Sequence, residues 1–343
     1  MKNFLMVGEQ RSGSNLLRLI LNESEEIAAP HPPHILQRLM PIVSLYGDLT
    51  NEHNFSDLIE DVCQLVELNP VPWEVDHISR RDVRSRCSKN SLIAIFGAIM
   101  EIYAEHHKAS AWMCKSMQNI RWAKELNCYF DSPKYIYLYR DPRDVALSFS
   151  KAVIGEKHPF FITQQWVELQ ELCLAQRDTL GSDQFFSICY EDLISNPEHI
   201  IKDLCIFLNI KFSDNMLNFH NSNEAVRSAN SSQLWENLSK PINTSNSKKF
   251  MTELNETDIK IIESVAGSTM DKLGYERALV QPNNETVFDQ ENILQFQQIN
   301  EQLKKSTSKS INVDDLKRRQ QQTGFLESIC AKKGQPKEQL KTG

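Results

Sequence analysis

The chain has 343 residues, of which 41% are hydrophobic, so it can bury one large core or two modest ones. Its formal net charge of −7 excludes a general affinity for polyanions, and the sequence shows no basic face of the kind that binds nucleic acid. Any anion site must therefore be local. We expect one α/β domain over residues 1–279 and a C-terminal extension over residues 280–343.

The cysteines and the apolar runs indicate where in the cell the protein is located. Eight cysteines are scattered without CxxC spacing, and several lie in apolar runs, which favours buried, reduced thiols. The first predicted strand begins at residue 3 or 4, which leaves no room for a signal peptide. No apolar run approaches the length of about 20 residues that crosses a bilayer. We therefore expect a soluble, cytoplasmic protein.

The first elements are a buried strand, a tight loop and a helix. The apolar residues 4–7 are followed by a polar stretch, and leucines and isoleucines return after residue 15. A helix N terminus offers unpaired N–H groups and the positive end of a dipole, which suits phosphate. Gly8 and Gly13, with four residues between them, keep the frame of a phosphate-binding loop, GxxxxGK[ST].

The loop departs from that frame at its basic residue. Ser14 fills the lysine position and Asn15 the next one, whereas Arg11 supplies a positive charge inside the loop. We interpret Arg11 as the replacement for the lysine, and the alternative is a surface ion pair.

The next stretch alternates short elements with rigid segments. Residues 26–29 are predicted to form a second strand, and the prolines of residues 30–34 exclude a helix until about residue 34. Residues 54–68 place their apolar side chains on one helical face, with Ser56 or Asn54 as the predicted cap.

Later segments continue the alternation of strands and helices. Residues 70–89 are expected to be an irregular excursion. The remaining predicted elements are a helix over 90–107, strands over 111–115, 134–139 and 184–190, a helix with Pro142 in its first turn, and helices over 160–180 and 197–208. Short buried strands alternating with helices predict a three-layer α/β/α fold with a central parallel sheet.

Polar residues follow these strands at the point where each one ends. They are Arg11, His31, Lys115, Arg140 and Tyr190. Ligands of such folds bind at the carboxyl ends of the strands. The sequence therefore predicts one anionic-ligand site built from several strand ends.

The last third of the chain is less regular. Residues 221–250 are rich in Asn and Ser and are expected to form a loop, and a helix is predicted over 256–272 with Gly274 at its C-terminal cap. From about residue 280 the composition shifts to Gln, Asn, Lys and Glu, which indicates one amphipathic helix carrying Phe296, Ile299 and Leu303 and an otherwise flexible tail.

Two motifs resemble those of the sulfotransferases that use 3′-phosphoadenosine 5′-phosphosulfate (PAPS). Residues 10–17 (QRSGSNLL) resemble the family's 5′-phosphosulfate loop, P-[KR]-S-G-[TS]-[TNS]-x-L, and residues 139–148 (YRDPRDVALS) resemble its 3′-phosphate motif. Weaker similarities lie at residues 190–197 and 240–250, so the resemblance covers roughly residues 4–276. It implies a P-loop-like fold.

The resemblance implies transfer of a sulfuryl group from PAPS to a hydroxyl or amine, with release of adenosine 3′,5′-bisphosphate and no need for a metal. The hydroxyls of Ser12 and Ser14 and the N–H groups of their loop, including Gly13 and Asn15, would hold the 5′-phosphate. Arg11 would sit at the bridging oxygen.

Other residues are assigned to the rest of the donor. Arg140 and Ser148 would bind the 3′-phosphate, although a serine there can also be a helix-surface residue. Tyr190 either contacts the adenine or packs in the core. Lys249 is the predicted further ligand of the 3′-phosphate, with Lys248 as the alternative.

The general base is assigned from two branches of the family. Lys115 matches the lysine of a Lys-x-His pair in many cytosolic members, but Met117 stands at the histidine position. Other branches, including the tyrosyl type, use a glutamate after the second strand, where this chain has His31 and His34. We predict His31 as the base and His34 as the second candidate, against a purely structural histidine. His-x-x-His could bind metal, but no third ligand has suitable spacing.

Two other functions compete with this interpretation. A nucleotide kinase or NTPase would need the loop lysine and Mg²⁺ ligands. A catalytically inactive PAPS-binding homologue is disfavoured by the retained Arg11, Lys115 and Arg140.

Residues 70–89 and 221–250 are expected to shape the acceptor pocket. The sequence leaves open whether the acceptor is a sugar, a lipid, a peptide or a small metabolite.

Overall fold

A computed structural model describes residues 1–75, 77–152, 155–231, 233–308 and 313–334. The strands are β1 (Lys2–Gly8), β2 (Ile27–Ala28), β3 (Ala111–Cys114), β4 (Lys134–Tyr139) and β5 (Phe185–Cys189). The α-helices are α1 (Ser14–Asn22), α2 (Ile35–Leu39), α3 (Glu52–Glu67), α4 (Arg80–Arg86), α5 (Leu92–His106), α6 (Ala123–Tyr129), α7 (Pro142–Lys151), α8 (Pro159–Leu180), α9 (Tyr190–Ser195), α10 (Pro197–Leu208), α11 (Asn223–Ser231), α12 (Phe250–Glu253), α13 (Glu256–Lys272), α14 (Gln290–Ser308) and α15 (Val313–Lys332). Short 3-10 helices span Met40–Tyr46, Met117–Trp122, Asp214–Met216, Phe219–Asn221 and Gln233–Ser239.

The five strands form one parallel sheet in the order β2-β3-β1-β4-β5. Residues 4–7 of β1 are buried on both faces because β1 is the central strand. Side chains of a strand alternate between the two faces. Leu5 and Val7 join the core beneath α2, α3, α5 and α8, whereas Phe4 and Met6 join the core beneath α1 and α10. The predicted three-layer α/β/α fold with a parallel sheet is therefore confirmed.

The third helix begins earlier than the sequence indicated. Asn51 caps it, because its side-chain Oδ1 accepts the N–H of His53 at 2.9 Å. The predicted caps, Asn54 and Ser56, lie inside the helix. Glu52 and His53 carry no apolar periodicity that would mark the first turn, so the prediction of the cap was wrong.

Both segments expected to be irregular contain helix. In the 70–89 excursion, Ser79 accepts the N–H of Asp82 and caps α4. The 221–250 segment contains α11 and the 3-10 helix Gln233–Ser239. Gly274 follows α13 with φ of +79°, in agreement with the predicted cap.

The C-terminal extension is more ordered than expected. α14 confirms the predicted helix, but Ile299 and Leu303 are exposed and the helix contacts the body through Phe296 and Asn300. α15 was not predicted, and its last turns bury residues 326, 329 and 330 in the core beneath α3. Residues 309–312 and 335–343 of the expected flexible tail lie outside the described residues. The domain boundary at residue 280 stays a prediction.

Two further expectations concern the chain as a whole. Six of the eight cysteines are buried, as expected, whereas Cys128 is exposed and Cys189 is half-buried. Across the described ranges, no helix combines the length and the apolarity that a membrane span requires.

Candidate active site

The loop between β1 and α1 depends on two glycines. Gly8 has φ of +128°, and a Cβ there would lie 2.3 Å from the carbonyl oxygen of Leu138 in β4. Gly13 has φ of +91°, and a Cβ there would lie 2.4 Å from the ring of Tyr190. Both positions therefore exclude a side chain by conformation and by space. The loop lies against β4 and the start of α9, and its last residue caps α1.

A cavity of about 640 Å³ lies at the carboxyl edge of the sheet. Its walls come from the β1–α1 loop, from α7 and from residues 235–249. The predicted site residues that line it are Arg11, Gly13, Ser14, Asn15, Arg140, Ser148, Tyr190 and Lys249. Ser12, Lys115, His31 and His34 are not on its lining. The structure thus brings most of the predicted donor-site residues to one cavity.

Arg11 connects the two main motifs. Its Nε donates to Ser148 Oγ at 3.0 Å, although the two residues are 137 positions apart. Burial, together with the smaller effect of the charge of Arg140, lowers the pKa of Arg11 to about 10. The guanidinium is therefore still a cation at neutral pH, and it lies next to a serine hydroxyl that can bind the same anion.

Arg140 is held from three sides. Its Nη1 donates to the carbonyl oxygen of Arg11 at 3.2 Å, and its Nη2 donates to that of Asn246 at 2.9 Å. Its guanidinium carbon lies 4.4 Å from the ring centroid of Tyr190. Nε of Arg140 is buried and has no hydrogen-bond partner in the described part of the chain. A buried donor without a partner at a cavity wall is suited to a ligand oxygen.

Tyr190 lies between the loop and Arg140. Its ring contacts Gly13 and the guanidinium of Arg140, and its hydroxyl accepts a hydrogen bond from Asn246 Nδ2 at 2.7 Å. The side chain is almost fully buried, yet its edge lines the cavity. Both sequence-based interpretations of Tyr190, packing and ligand contact, fit this position.

Asp144 fixes the segment that carries Lys249. Its carboxylate accepts the N–H of Lys248 at 2.8 Å and that of Phe250 at 3.0 Å. This arrangement directs Lys249, and not Lys248, toward the cavity. The sequence assigned no role to Asp144, because its two partners are more than 100 positions away.

Lys115 lies directly behind the lining. Its Nζ donates to Asn15 Oδ1 at 2.7 Å, and Asn15 lines the cavity. Burial, together with the smaller effect of the charges of Arg18 and Arg11, lowers the pKa of Lys115 to about 7. The lysine is therefore poised near half-ionisation at neutral pH before any anion is bound.

The two histidines lie further from the cavity. The ring of His31 lies 4.9 Å from that of Trp235, centroid to centroid, and Trp235 lines the cavity. The His31 carbonyl accepts from Trp73 Nε1 at 2.7 Å, which ties residues 70–75 to the end of β2. His34 caps α2 with φ of +55°. Only His31 has a contact with the cavity wall among the contacts described.

Arg18 was missed by the sequence analysis. It is buried on the apolar side of α1, where Nη1 donates to the carbonyl oxygen of Ala29 at 2.9 Å and pairs with Glu224 at 2.8 Å. Glu224 also pairs with Arg227, which forms an ion pair with Glu74. The sequence signal that could have identified it is an arginine within an otherwise apolar run, residues 16–21. The two segments expected to shape the acceptor pocket meet here, but only 221–250 lines the cavity.

Glu9 is a second missed residue. It is fully buried at the start of the loop, and its Oε1 accepts the N–H of Gln10 at 2.6 Å. Burial raises the pKa of Glu9 to about 8, so the carboxyl group is largely neutral at pH 7. A neutral acid in this position does not repel an anion in the loop.

Comparisons with known proteins give matches to this chain in sequence and in fold. A model described as the sulfotransferase family matches residues 4–214, more than half of the chain. Protein-tyrosine sulfotransferase A of Caenorhabditis elegans is 22% identical over 286 residues, which are 80% of this chain and 68% of that protein. The protein-tyrosine sulfotransferase of Drosophila melanogaster is 21% identical over 278 residues, 78% of this chain and 50% of that protein.

Two solved structures share the fold. The sulfotransferase domain of the Synechococcus PCC 7002 olefin synthase has a TM-score of 0.52 at 19% identity and covers 77% of this chain and 94% of that one. The sulfotransferase domain of the curacin biosynthetic pathway has a TM-score of 0.53 at 20% identity and covers 81% of this chain and 98% of that one.

Proposed function

Because the chain belongs to the sulfotransferase family, we propose that it moves the sulfuryl group of PAPS to a hydroxyl or amine acceptor. Adenosine 3′,5′-bisphosphate is the proposed leaving product. The observation that carries the proposal is the contact of Arg11 with Ser148, at 3.0 Å, on the wall of a cavity that Arg140 also lines. Two anion-binding motifs thus meet in one cavity, as a donor with two separate phosphate groups requires.

The hydrogen-bond donors of the β1–α1 loop and of the cavity wall fit such a molecule. Ser12 Oγ and Arg140 Nε are buried and lack partners in the described part of the chain. Ser14, at the N terminus of α1, and Ser148, on α7, both line the cavity. The loop N–H groups with Ser12 and Ser14 would hold the 5′-phosphate, and Arg140 with Ser148 would hold the 3′-phosphate.

The proposed step forms a bond between the acceptor oxygen and sulfur while the bond from sulfur to the 5′-phosphate oxygen breaks. The acceptor proton passes to a base, and the electron pair of the broken bond remains on the phosphate. Arg11 stabilises that oxygen with a fixed charge, and Lys115 adds a second charge through the Asn15 side of the loop. Because these cations do the work of charge stabilisation, we expect EDTA to leave the rate unchanged.

We propose His31 as the base and His34 as the second candidate. The contact of His31 with Trp235, a residue of the cavity wall, supports this order. Loss of the base is expected to lower turnover by about 10²- to 10⁴-fold. His31→Ala and His34→Ala are compared at saturating PAPS, with the exposed His53→Ala as the control. Near-normal turnover in both variants would rule out a histidine base in this segment.

The names of the relatives make a tyrosine hydroxyl in a protein the first acceptor to test. A panel that adds sugar, lipid and small-metabolite hydroxyls, incubated with labelled PAPS and analysed by mass spectrometry, identifies the class. The cytoplasmic location stays a proposal, which imaging of the tagged full chain tests.

The donor is tested by calorimetry with the full chain. We expect adenosine 3′,5′-bisphosphate to bind and ATP with Mg²⁺ to bind at least about tenfold more weakly, since ATP lacks the 3′-phosphate. Binding of ATP with Mg²⁺ and indifference to PAPS would establish the kinase or NTPase alternative. Donor binding without transfer to any acceptor of the panel would indicate the inactive homologue.

A further inference from the structure

Residues 155–158, which precede α8, are bound to the C-terminal extension. Asn300 of α14 accepts two backbone N–H groups through its Oδ1, that of Lys157 at 2.8 Å and that of His158 at 2.9 Å. The ring of His158 stacks on Phe296 of the same helix with centroids 4.4 Å apart. Asn300 is only 3% exposed. A buried side chain that satisfies two buried N–H groups defines the position of this segment closely.

Lys157 connects these contacts with α7 through its side chain. Its side chain is buried, and Nζ donates to the carbonyl oxygen of Phe149 at 3.1 Å. Phe149 lies in the last turn of α7, one residue after Ser148. The same carbonyl accepts the N–H of Ala152 at 3.0 Å, and a cation at a helix C terminus interacts well with the helix dipole. The chain of contacts therefore runs from Asn300 to Lys157, to Phe149, and so to the turn that carries Ser148.

Charged groups of the extension and of the β1–α1 loop act on the same lysine. The pKa of Lys157 is lowered to about 8, mainly by burial; the carboxylate of Glu156 opposes this shift, and the charges of Lys304 and Arg11 add to it. Glu156 is itself bound to Asn300 and to Lys304 of α14. The extension thus supplies both the polar contacts that place Lys157 and the charges that surround it.

We propose that Asn300 and Lys157 are positioning residues for the donor, through which the C-terminal extension sets the end of α7 so that Ser148 meets Arg11 and the 3′-phosphate. This inference rests on the proposed function, because it takes Ser148 as a ligand of the 3′-phosphate. It assigns the extension a part in donor binding.

A merely structural role and a positioning role differ in the ligand they affect. A general destabilisation of the fold lowers the affinity for all nucleotides alike. A shift of Ser148 lowers the affinity for adenosine 3′,5′-bisphosphate. It leaves the affinity for adenosine 5′-monophosphate unchanged, because that nucleotide has no 3′-phosphate. The ratio of the two affinities is therefore the informative quantity.

The test measures both affinities by calorimetry in the full chain and in four variants. Lys157→Met removes the contact with Phe149, Asn300→Leu removes the acceptor of the two N–H groups, and the double variant combines them. Gln302→Ala, on the exposed side of α14, is the matched control. Thermal unfolding of each variant identifies any that fail to fold. If Asn300→Leu does not fold, Lys157→Met still tests the proposal, because it leaves the extension intact.

Each single variant is expected to bind adenosine 3′,5′-bisphosphate about fivefold more weakly, the effect of about one hydrogen bond, with adenosine 5′-monophosphate unchanged. The double variant should be no weaker than Lys157→Met, because the two residues act in one chain of contacts. Equal losses for both nucleotides, or no loss for either, would overturn the proposal. Failure of the unmodified chain to bind adenosine 3′,5′-bisphosphate would instead overturn the proposed function, and this inference with it.

Discussion

Lys115 combines burial with two neighbouring cations, and this makes its charge dependent on pH. The side chain is buried beside Arg11 and Arg18, and its one hydrogen bond on the cavity side goes to Asn15. Burial, followed by the charges of Arg18 and Arg11, lowers the pKa to about 7. The ammonium form is the one that stabilises a leaving phosphate oxygen, so the free protein has more of the active form below neutral pH than above it.

We therefore expect kcat/KM to fall as pH rises above about 7, since this parameter reports groups of the free enzyme. Lys115→Arg retains a charge over the whole range, because arginine stays protonated, and should remove this descending limb while lowering the maximal rate. The profile is measured with PAPS in the standard transfer assay.

Lys124→Arg, at an exposed lysine of α6, is the matched control and should keep the limb. If the limb persists unchanged in Lys115→Arg, the group that titrates is not Lys115.

At the scale of elements, the β1–α1 loop is defined by its backbone more than by its side chains. Gly13 has a left-handed φ of +91°, and the ring of Tyr190 occupies the space that a Cβ at this position would need. Arg11 also has a positive φ, of +66°, which holds its side chain toward Ser148. A non-glycine residue in such a conformation carries a cost of about 1–3 kcal/mol that the surrounding contacts must offset.

Gly13→Ala should therefore displace Tyr190 or the loop. We expect it to lower the affinity for adenosine 3′,5′-bisphosphate by about tenfold or more and to lower the midpoint of thermal unfolding. Gly324→Ala is the matched control, because a Cβ there meets nothing within 4 Å and φ needs no glycine. This change within α15 should raise stability by about 0.5–1 kcal/mol without altering affinity. Unaltered nucleotide affinity in Gly13→Ala would show that the loop does not need its glycine.

At the scale of the whole molecule, the extension and the sheet share one core. Leu326, Ile329 and Cys330 of α15 lie in the same buried cluster as Leu5 and Val7 of β1. Gln322 adds a hydrogen bond from its Nε2 to the carbonyl oxygen of Leu65 at 2.9 Å. Because this core is continuous, the extension and the body should unfold together.

Leu326→Ala, at a side chain 8% exposed, is expected to cost about 2–4 kcal/mol in a single unfolding transition. Leu294→Ala, at a side chain 55% exposed on α14, should change stability by less than about 0.5 kcal/mol. Urea denaturation followed by tryptophan fluorescence and by circular dichroism gives both numbers. Two separate transitions, with only the weaker one moved by Leu326→Ala, would mean that the extension is a separate domain.

Local patterns were enough for most of the architecture. Short apolar runs that end in Arg140, Lys115 or the loop of Arg11 indicated parallel strands and the edge at which a ligand binds. Residues with no local pattern were missed. Asn51 was not recognised as a cap because no apolar residue marks the turn after it. α15 was not recognised because a chain rich in Gln, Lys and Arg shows little amphipathic contrast.

The sequence by itself determined the five strands and their alternation with helices, the phosphate-loop frame and the family, because each depends on residues that are neighbours along the chain. Only the tertiary structure decided that Arg11 meets Ser148, that Asp144 directs Lys249 to the cavity, and that Asn300 binds the backbone just before α8. It also decided the charge of Lys115 and Glu9 at neutral pH. Contacts and ionisation depend on groups brought together from distant positions, and the packing that brings them together leaves no trace in the local pattern.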